Sequence, residues 1–346
     1  MTTPGVPLLD VRELRTHFLT ARGAVKAVDG VSFTLERGRT MGVVGESGSG
    51  KTVLSRSIMG MLPRTNVVRG GDVFYEGNSL SALSPRQLRD LRGAEISMVF
   101  QDPMTSLNPV VRVGRQITET MEHHLGISRD EARSRALELL GSVGIPDPER
   151  RLREYPHQLS GGLRQRVIIA IALSCGPKLL LADEPTTALD VTVQAQILDL
   201  LSRQQQERFM AMMLVTHDLG VVAGRTDEIL VMYAGRIVER APTPVLFSDM
   251  KHRYTQALFR SIPQITDPAH RRLNAIEGRP PDLATTGKGC AFAPRCRFAR
   301  DRCVNETPPL IEVAPGHSHA CWFPVERGEV EVAPLLRSAA VSGEPA

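Results

Sequence analysis

Between Leu9 and Glu36 apolar and polar side chains alternate in short stretches, marked by Leu9, Val11 and Leu14, by Val25, Ala27 and Val28, and by Val31, Phe33 and Leu35. A period near two sends successive side chains to opposite faces, so the pattern predicts an antiparallel lead-in sheet. Thr40 to Val44 shows no such alternation and predicts a buried strand, which runs into a glycine-rich turn and a helix starting near Lys51. Ile96 to Phe100 predicts a second buried strand. From Arg112 to about Val143 the spacing turns helical, with Ile117, Met121 and Leu125 and then Ala132, Ala136, Leu139 and Leu140, as in a helical insertion. A helix over Leu163 to Cys175 follows. The apolar runs Leu179 to Ala182, Met212 to Val215 and Ile229 to Met232 then alternate with helix-like segments, which argues for a mainly parallel sheet covered by helices on both faces.

The character changes after about Arg240, with prolines at 242, 244, 263, 268, 280 and 281 and four of the five cysteines between Cys290 and Cys321. That stretch reads as a separate appendage, and Glu326 to Ala346 as a frayed tail. A length of 346 residues with 42% hydrophobic and 23% charged content suits one large domain plus a small one. Lys and Arg number 42 against 38 Asp and Glu, so no strong basic field points to nucleic acid or an anionic lipid surface. Met1 to Asp10 lacks a secretory pattern, and no apolar run nears the roughly 20 residues that span a bilayer. The expectation is a cytoplasmic protein with reduced thiols, whose cysteines bind a metal or are simply buried.

Three constellations carry chemistry. Gly45-Glu46-Ser47-Gly48-Ser49-Gly50-Lys51-Thr52 fits a phosphate-binding loop and lies between a predicted strand and a predicted helix, as that motif requires. Its glycines let the backbone curl so that N–H groups and the helix N-terminus, through Val53, face phosphates; Lys51 reaches the outer phosphates and the Thr52 hydroxyl takes Mg²⁺. The strand Leu179 to Ala182 ends on Asp183 and Glu184, where one carboxylate can hold Mg²⁺ and its neighbour can polarise an attacking water. Alone, two acids after a strand are ordinarily a solvated turn; the phosphate loop upstream reverses that reading. Leu159-Ser160-Gly161-Gly162-Leu163 opens the helix after the insertion and forms a second anion-binding helix start.

Together with His217 after a later strand, these motifs resemble the ATP-binding cassette of ABC transporters in order and spacing, over roughly residues 8–245. The resemblance implies a P-loop NTPase of α/β class, with a RecA-like core, an antiparallel β subdomain, a helical subdomain at about 108–165 and a Cys-rich extension over 246–325. It implies that Gln101 senses Mg²⁺ and water, so that Thr52, Gln101 and Asp183 surround the metal and Glu184 is the general base. It further implies that His217 contacts the terminal phosphate, that Asp190 in Ala188-Leu189-Asp190 belongs to the D-loop, and that Phe18, beside His17, stacks on adenine. Leu163 departs from the glutamine usual in the wider family, at a position where apolar residues look normal for peptide importers. In this family each ATP lies between one cassette's phosphate loop and another's Ser160-Gly161-Gly162, so a second cassette is implied.

Cys290, Cys296, Cys303 and Cys321 lack the short C-x2-C hooks of structural zinc sites, yet four thiolates suit a metal. With Gly289-Cys290-Ala291-Phe292-Ala293-Pro294-Arg295-Cys296 and the preceding His252-Arg253-Tyr254, the stretch is similar to the C-terminal extension of oligopeptide and dipeptide importer ATPases, which implies a [4Fe-4S] cluster on these cysteines. Zinc and unligated thiols stay open from the residues alone, as do His317 and His319 as substitute ligands; Cys175 reads as core. The reading is an ATPase that energises di- or oligopeptide uptake from the cytoplasmic face of the membrane. Its implied partners are two permease subunits and an extracytoplasmic binding protein, with no nucleic acid. Open alternatives are an importer ATPase for nickel or another small solute, and a soluble ABC ATPase of iron-sulfur assembly or of ribosomes and DNA.

Overall fold

The computed structural model describes residues 6–63, 65–102, 106–187, 189–262, 276–284 and 287–326. The tail expected to fray lies, from residue 327 on, outside the described residues. In chain order the elements begin β1 (Leu9–Thr20), β2 (Gly23–Leu35), β3 (Thr40–Val44), α1 (Lys51–Ile58), β4 (Val67–Tyr75), β5 (Asn78–Ser79), α2 (Pro85–Leu91) and β6 (Ile96–Val99). The helical stretch holds α3 (Val113–Leu125), α4 (Arg129–Ser142), α5 (Pro148–Arg153) and α6 (Gly161–Leu173). Next come β7 (Leu179–Asp183), α7 (Val191–Arg208), β8 (Ala211–Thr216), α8 (Leu219–Val222), β9 (Glu228–Tyr233) and β10 (Arg236–Pro242). The last are α9 (Thr243–Asp249), α10 (Arg253–Arg260), α11 (Asp301–Asn305), β11 (Ile311–Ala314) and β12 (His317–His319). Two compact units share the chain: Met1–Leu9, Thr34–Arg39 and Phe74–Val215 form one, and Asp10–Phe33, Thr40–Val73 and Thr216–Ala346 the other.

In the first unit β6, β7 and β8 run parallel, with Ile96 opposite Leu179 and Leu179 opposite Ala211. Every residue of these strands is buried, which is why each is mainly apolar rather than alternating, with Ser97 within β6 and Asp183 and Thr216 at the ends of β7 and β8 as buried polar exceptions. The helical insertion resolves into α3 and α4, separated at Gly126, whose φ of 65° ends α3, and restarted by Ser128, whose Oγ accepts the Glu131 N–H at 3.3 Å. Ile117 and Met121 are buried as their spacing predicts, whereas Leu125, at the last turn of α3, is exposed. Helix α6 buries Gln165, Val167, Ile168, Ile169, Ala170, Ala172 and Leu173, so it is enclosed nearly all round and its sequence shows no polar face.

In the second unit β1 lies between β2 and β4 in an antiparallel sheet. The lead-in is two long strands rather than several short ones. Its alternation slips between Val11 and Leu14 and between Val28 and Val31, and at those points Glu13 has φ 46° and Gly30 φ 78°. The Glu13 N–H is taken there by Ser32 Oγ at 2.8 Å. Strand β3 pairs in parallel with β9, Val44 opposite Val231, and β9 pairs antiparallel with β10. The Cys-rich extension is not separate: β12 adds to the free edge of β10, with Glu239 opposite His319, and so covers an edge that would otherwise expose unpaired backbone groups.

Beside that junction Glu239 is fully buried and accepts the Lys251 N–H at 2.5 Å, the His252 N–H at 2.9 Å and a bond with His317 Nε2 at 3.1 Å. His252 is buried too, and its Nδ1 accepts the Tyr254 N–H at 3.0 Å, capping α10. Burial pushes the His252 imidazole down from 6.5 to about 4. An unfolded histidine takes up a proton as pH falls through 6.5, while the folded one stays neutral until about 4. Stability is therefore fully present above about pH 6.5 and is lost on acidification toward pH 4, by roughly 1–3 kcal/mol from this residue. Urea unfolding at pH 7, 6 and 5 is expected to show the fall, and His252→Asn, which keeps a helix-capping acceptor, should flatten it; an equal pH slope in both proteins would contradict the assignment.

Candidate functional site

The site residues lie on both compact units, and each group is built up on its own. In the second unit β3 delivers the chain to Gly45, where a Cβ would stand 2.3 Å from the Met232 carbonyl oxygen, and the loop closes at Gly50, φ 104°, where one would stand 2.0 Å from the Ala27 oxygen. Only glycine permits these two backbone approaches. Lys51 begins α1 with its side chain folded back: Nζ donates to the Gly45 oxygen at 2.7 Å and to the Glu46 oxygen at 3.0 Å, and the residue is 4% exposed. Ser49 N–H donates to the Glu46 oxygen at 3.1 Å, so the turn is held from within. The first turn of α1, with Thr52 and Val53, holds no acidic residue, and its positive dipole end is left to an incoming anion. On β1, Thr16 Oγ1 bonds Ser57 of α1 at 2.8 Å, and strand alternation puts half-buried Phe18 on that same face. His17 points the other way, to Asp29 Oδ1 at 3.0 Å, and Arg236 forks onto Asp29 Oδ2 at 3.0 and 2.6 Å. Phe18 is thereby favoured over His17 as the ring that faces α1.

In the first unit β7 ends on buried Asp183, paired in register with Val215. The next residue, Glu184, turns into the left-handed region at φ 45°, a conformation that costs a non-glycine residue about 1–2 kcal/mol and is characteristic of functional turns. Its N–H donates to the Val215 oxygen at 2.9 Å. Gln101 Nε2 and Thr187 Oγ1 both donate to Glu184 Oε2, each at 3.0 Å. Gln101 and Glu184 are thus brought together, while Thr187 escaped the sequence reading although Glu184-Pro185-Thr186-Thr187 places a hydroxyl within one turn. Ser160 Oγ accepts the Leu163 N–H at 3.4 Å and caps α6; Ser160 and Gly161 are exposed and Gly162 half-buried. Asp190 caps α7 through the Val193 N–H at 3.0 Å, and Ala188 lies outside the described residues. His217 is exposed just after β8, ahead of Asp218, whose Oδ1 accepts the Gly220 N–H at 2.8 Å.

The four cysteines of the extension line one apolar cavity of about 20 Å³ with Phe292, Phe298, Trp322 and Phe323. That is room for about one water. Burial pushes the Cys290 thiol up to about 11, and those of Cys296 and Cys321 upward as well. Among the described residues no three His, Cys, Asp or Glu side chains are grouped to hold a metal ion, so neither the expected [4Fe-4S] cluster nor zinc finds support in this geometry. His317 Nε2 is bonded to Glu239 and His319 Nδ1 accepts the Cys321 N–H at 3.3 Å, and among the described residues neither belongs to a group of side chains that could hold a metal ion. Cys175, read as core, is only half-buried, at the C-terminal end of α6 with its sulfur 3.6 Å from the Thr120 oxygen.

Comparison with known proteins adds to this geometry. The family model described as ABC transporter matches residues 28–187, and that described as the C-terminal region of oligopeptide/dipeptide transporters matches residues 238–303. The chain is 51% identical to a probable peptide ABC transporter ATP-binding protein of Sinorhizobium fredii, over 91% of this chain and 94% of that one. It is 48% identical to the oligopeptide transport ATP-binding protein of Bacillus subtilis, over 91% and 88%. Among solved structures, a dimeric post-hydrolysis ATP-binding cassette bound to ADP and Pi is similar with a TM-score of 0.61 and 27% identity, covering 68% of this chain and 98% of that one.

The close backbone approach at Gly50 can be tested by substitution, with Gly48 as the open control. Gly50→Ala drives a methyl into the Ala27 carbonyl and is expected to cost upward of about 2 kcal/mol, while Gly48→Ala, with φ 81° but nothing within 4 Å, should cost only about 1 kcal/mol. Thermal unfolding of the two variants ranks them; equal losses would mean that the close approach is not what excludes a side chain.

Proposed function

The chain belongs to the ATP-binding subunits of peptide ABC transporters, and from that premise we propose that it binds and hydrolyses ATP to drive uptake of di- or oligopeptides. The single observation that carries the hydrolytic part is Glu184, held in a costly backbone conformation with two donors fixing one carboxylate oxygen. The peptide branch is favoured over nickel, other solutes and soluble ATPases by the family match in the extension.

In this reading Phe18 stacks on adenine, the amides of Gly45, Ser47, Gly48, Gly50, Lys51, Thr52 and Val53 line the phosphates, and those of Glu46 and Ser49 hold the turn. Lys51 exchanges its two carbonyl partners for phosphate oxygens, which repays the desolvation of its buried ammonium. Thr52, Gln101 and Asp183 offer oxygen donors suited to a hard cation, and Mg²⁺ bound there would neutralise charge on the phosphates. Glu184 orients the attacking water and takes its proton, His217 contacts the terminal phosphate, and Gln101 and Thr187 hold the carboxylate in place. The Ser160-Gly161-Gly162 helix start completes the site of a second cassette, with Asp190 near that seam. The chain sits at the cytoplasmic face of the membrane on two permease subunits, and an extracytoplasmic binding protein completes the assembly on the opposite side. Among the described residues no helix is long and apolar enough to cross a membrane. A [4Fe-4S] cluster on Cys290, Cys296, Cys303 and Cys321 is a separate proposal resting on donor chemistry alone. It needs the cavity to widen, no step above runs through it, and iron and sulfide near four per chain after anaerobic purification is the supporting result.

Glu184→Gln is expected to lower turnover about 10²–10⁴-fold while ATP binding persists. Steady-state hydrolysis alongside equilibrium nucleotide binding checks this, and turnover at the wild-type rate would remove Glu184 as the base. With permeases and binding protein reconstituted, peptides should raise the wild-type rate.

A further inference from the structure

Glu46 is the second residue of the phosphate loop, and the chain fixes it at three points. Its N–H donates to Tyr254 Oη at 2.7 Å, its carbonyl oxygen receives Lys51 Nζ at 3.0 Å, and its carboxylate is gripped by Arg295 of the Cys-rich extension, with Nη1 to Oε2 at 2.6 Å and Nη2 to Oε1 at 2.9 Å. The Arg295 side chain is 4% exposed. Its remaining donors are also placed: Nε on the Glu277 oxygen at 2.9 Å, Nη2 on the Ile276 oxygen at 3.2 Å and Nη1 on Tyr233 Oη at 3.3 Å. All five guanidinium hydrogens therefore have acceptors, one pair of them a planar fork that lysine cannot reproduce. Phe292, three residues before Arg295, packs its ring 5.4 Å from that of Tyr233 and 5.3 Å from that of Tyr254, so the extension surrounds the same clamp with apolar surface.

We propose that Arg295 is a positioning residue for the phosphate loop, clamping Glu46 so that folding of the Cys-rich extension and binding of nucleotide are one coupled equilibrium. The inference rests on the reading of residues 45–52 as the nucleotide site. The clamp sets the carbonyl on which Lys51 rests, and thereby the curvature of the loop before nucleotide arrives. Ordering the loop then belongs to folding of the extension and is not charged against ATP affinity. Because coupling is reciprocal, nucleotide must in turn stabilise the extension.

Equilibrium titration with MgATP of full-length Arg295→Met, Arg295→Lys, Glu46→Gln and the Arg295→Met/Glu46→Gln double variant tests this. Arg295→Met and Glu46→Gln are each expected to weaken MgATP binding about tenfold, and Arg295→Met should keep turnover at saturating ATP within about twofold of wild type. The double variant should be no worse than either single one, and Arg295→Lys should recover only part of the loss. Wild-type affinity in Arg295→Met, or additive losses in the double variant, overturns the proposal. A measurement on the unmodified chain guards against misfolded variants: MgATP should slow amide hydrogen exchange across residues 290–303, and unchanged exchange there also overturns the proposal. Lys51→Ala keeps the two readings apart. Retained MgATP binding in that variant would sink the nucleotide site itself, whereas its loss with a normal Arg295→Met sinks only the clamp.

Discussion

A loop that offers its amides to an anion has to leave them out of helix and sheet, and a backbone so released needs something else to hold it. Around residues 45–50 that support is the approach of one backbone to another: Gly45 lies against the Met232 carbonyl and Gly50 against the Ala27 carbonyl. The Gly235 N–H adds a bond to the Ser49 oxygen at 2.9 Å. The parallel pairing of β3 with β9 brings those strands to the loop, and Lys51 closes it from inside. The loop's shape is thus set by β2 upstream and by β9 nearly two hundred residues downstream, and its own sequence supplies mainly the permission to be shaped.

Much of this was legible along the chain. The mainly apolar runs at 96–99, 179–182 and 212–215 became buried parallel strands because a strand covered on both faces has no polar side to show, and the first of the expected strands stops one residue short, at Val99. The slips in alternation at Glu13 and Gly30 were visible as letters, but they read as breaks between strands when they are backbone turns inside two continuous ones. Gln101 and Glu184 were each singled out by the ordered motifs, and Thr187 was not, since a hydroxyl in a turn has no periodic signature. The partnership of Arg295 with Glu46 spans 249 residues and pairs two charges that carry no local pattern at all.

The extension shows the same limit in another form. Four cysteines and their neighbours pointed to a metal, and the folded chain brings the thiols to one small cavity whose burial pushes Cys290, Cys296 and Cys321 above the usual thiol range. What organises the stretch instead is a set of guanidinium and aromatic contacts: Arg253 over Phe298 at 3.9 Å, Arg300 over Phe323 at 4.1 Å and Arg302 over Trp322 at 3.4 Å. With β12 on the edge of β10 and Glu239 satisfied by two backbone N–H groups and a histidine, the region is anchored by polar bonds made in apolar surroundings.

Trp322 is the one tryptophan in the chain. It lies under the Arg302 guanidinium, donates its indole N–H to the Glu306 oxygen at 3.0 Å, and lines the cavity of the four thiols. Light absorbed only by indole is therefore absorbed at a single address, and the colour and lifetime of the emission are set by a cation, a carbonyl and sulfur atoms that all belong to the extension. The fold carries its own lamp in the region that grips the phosphate loop.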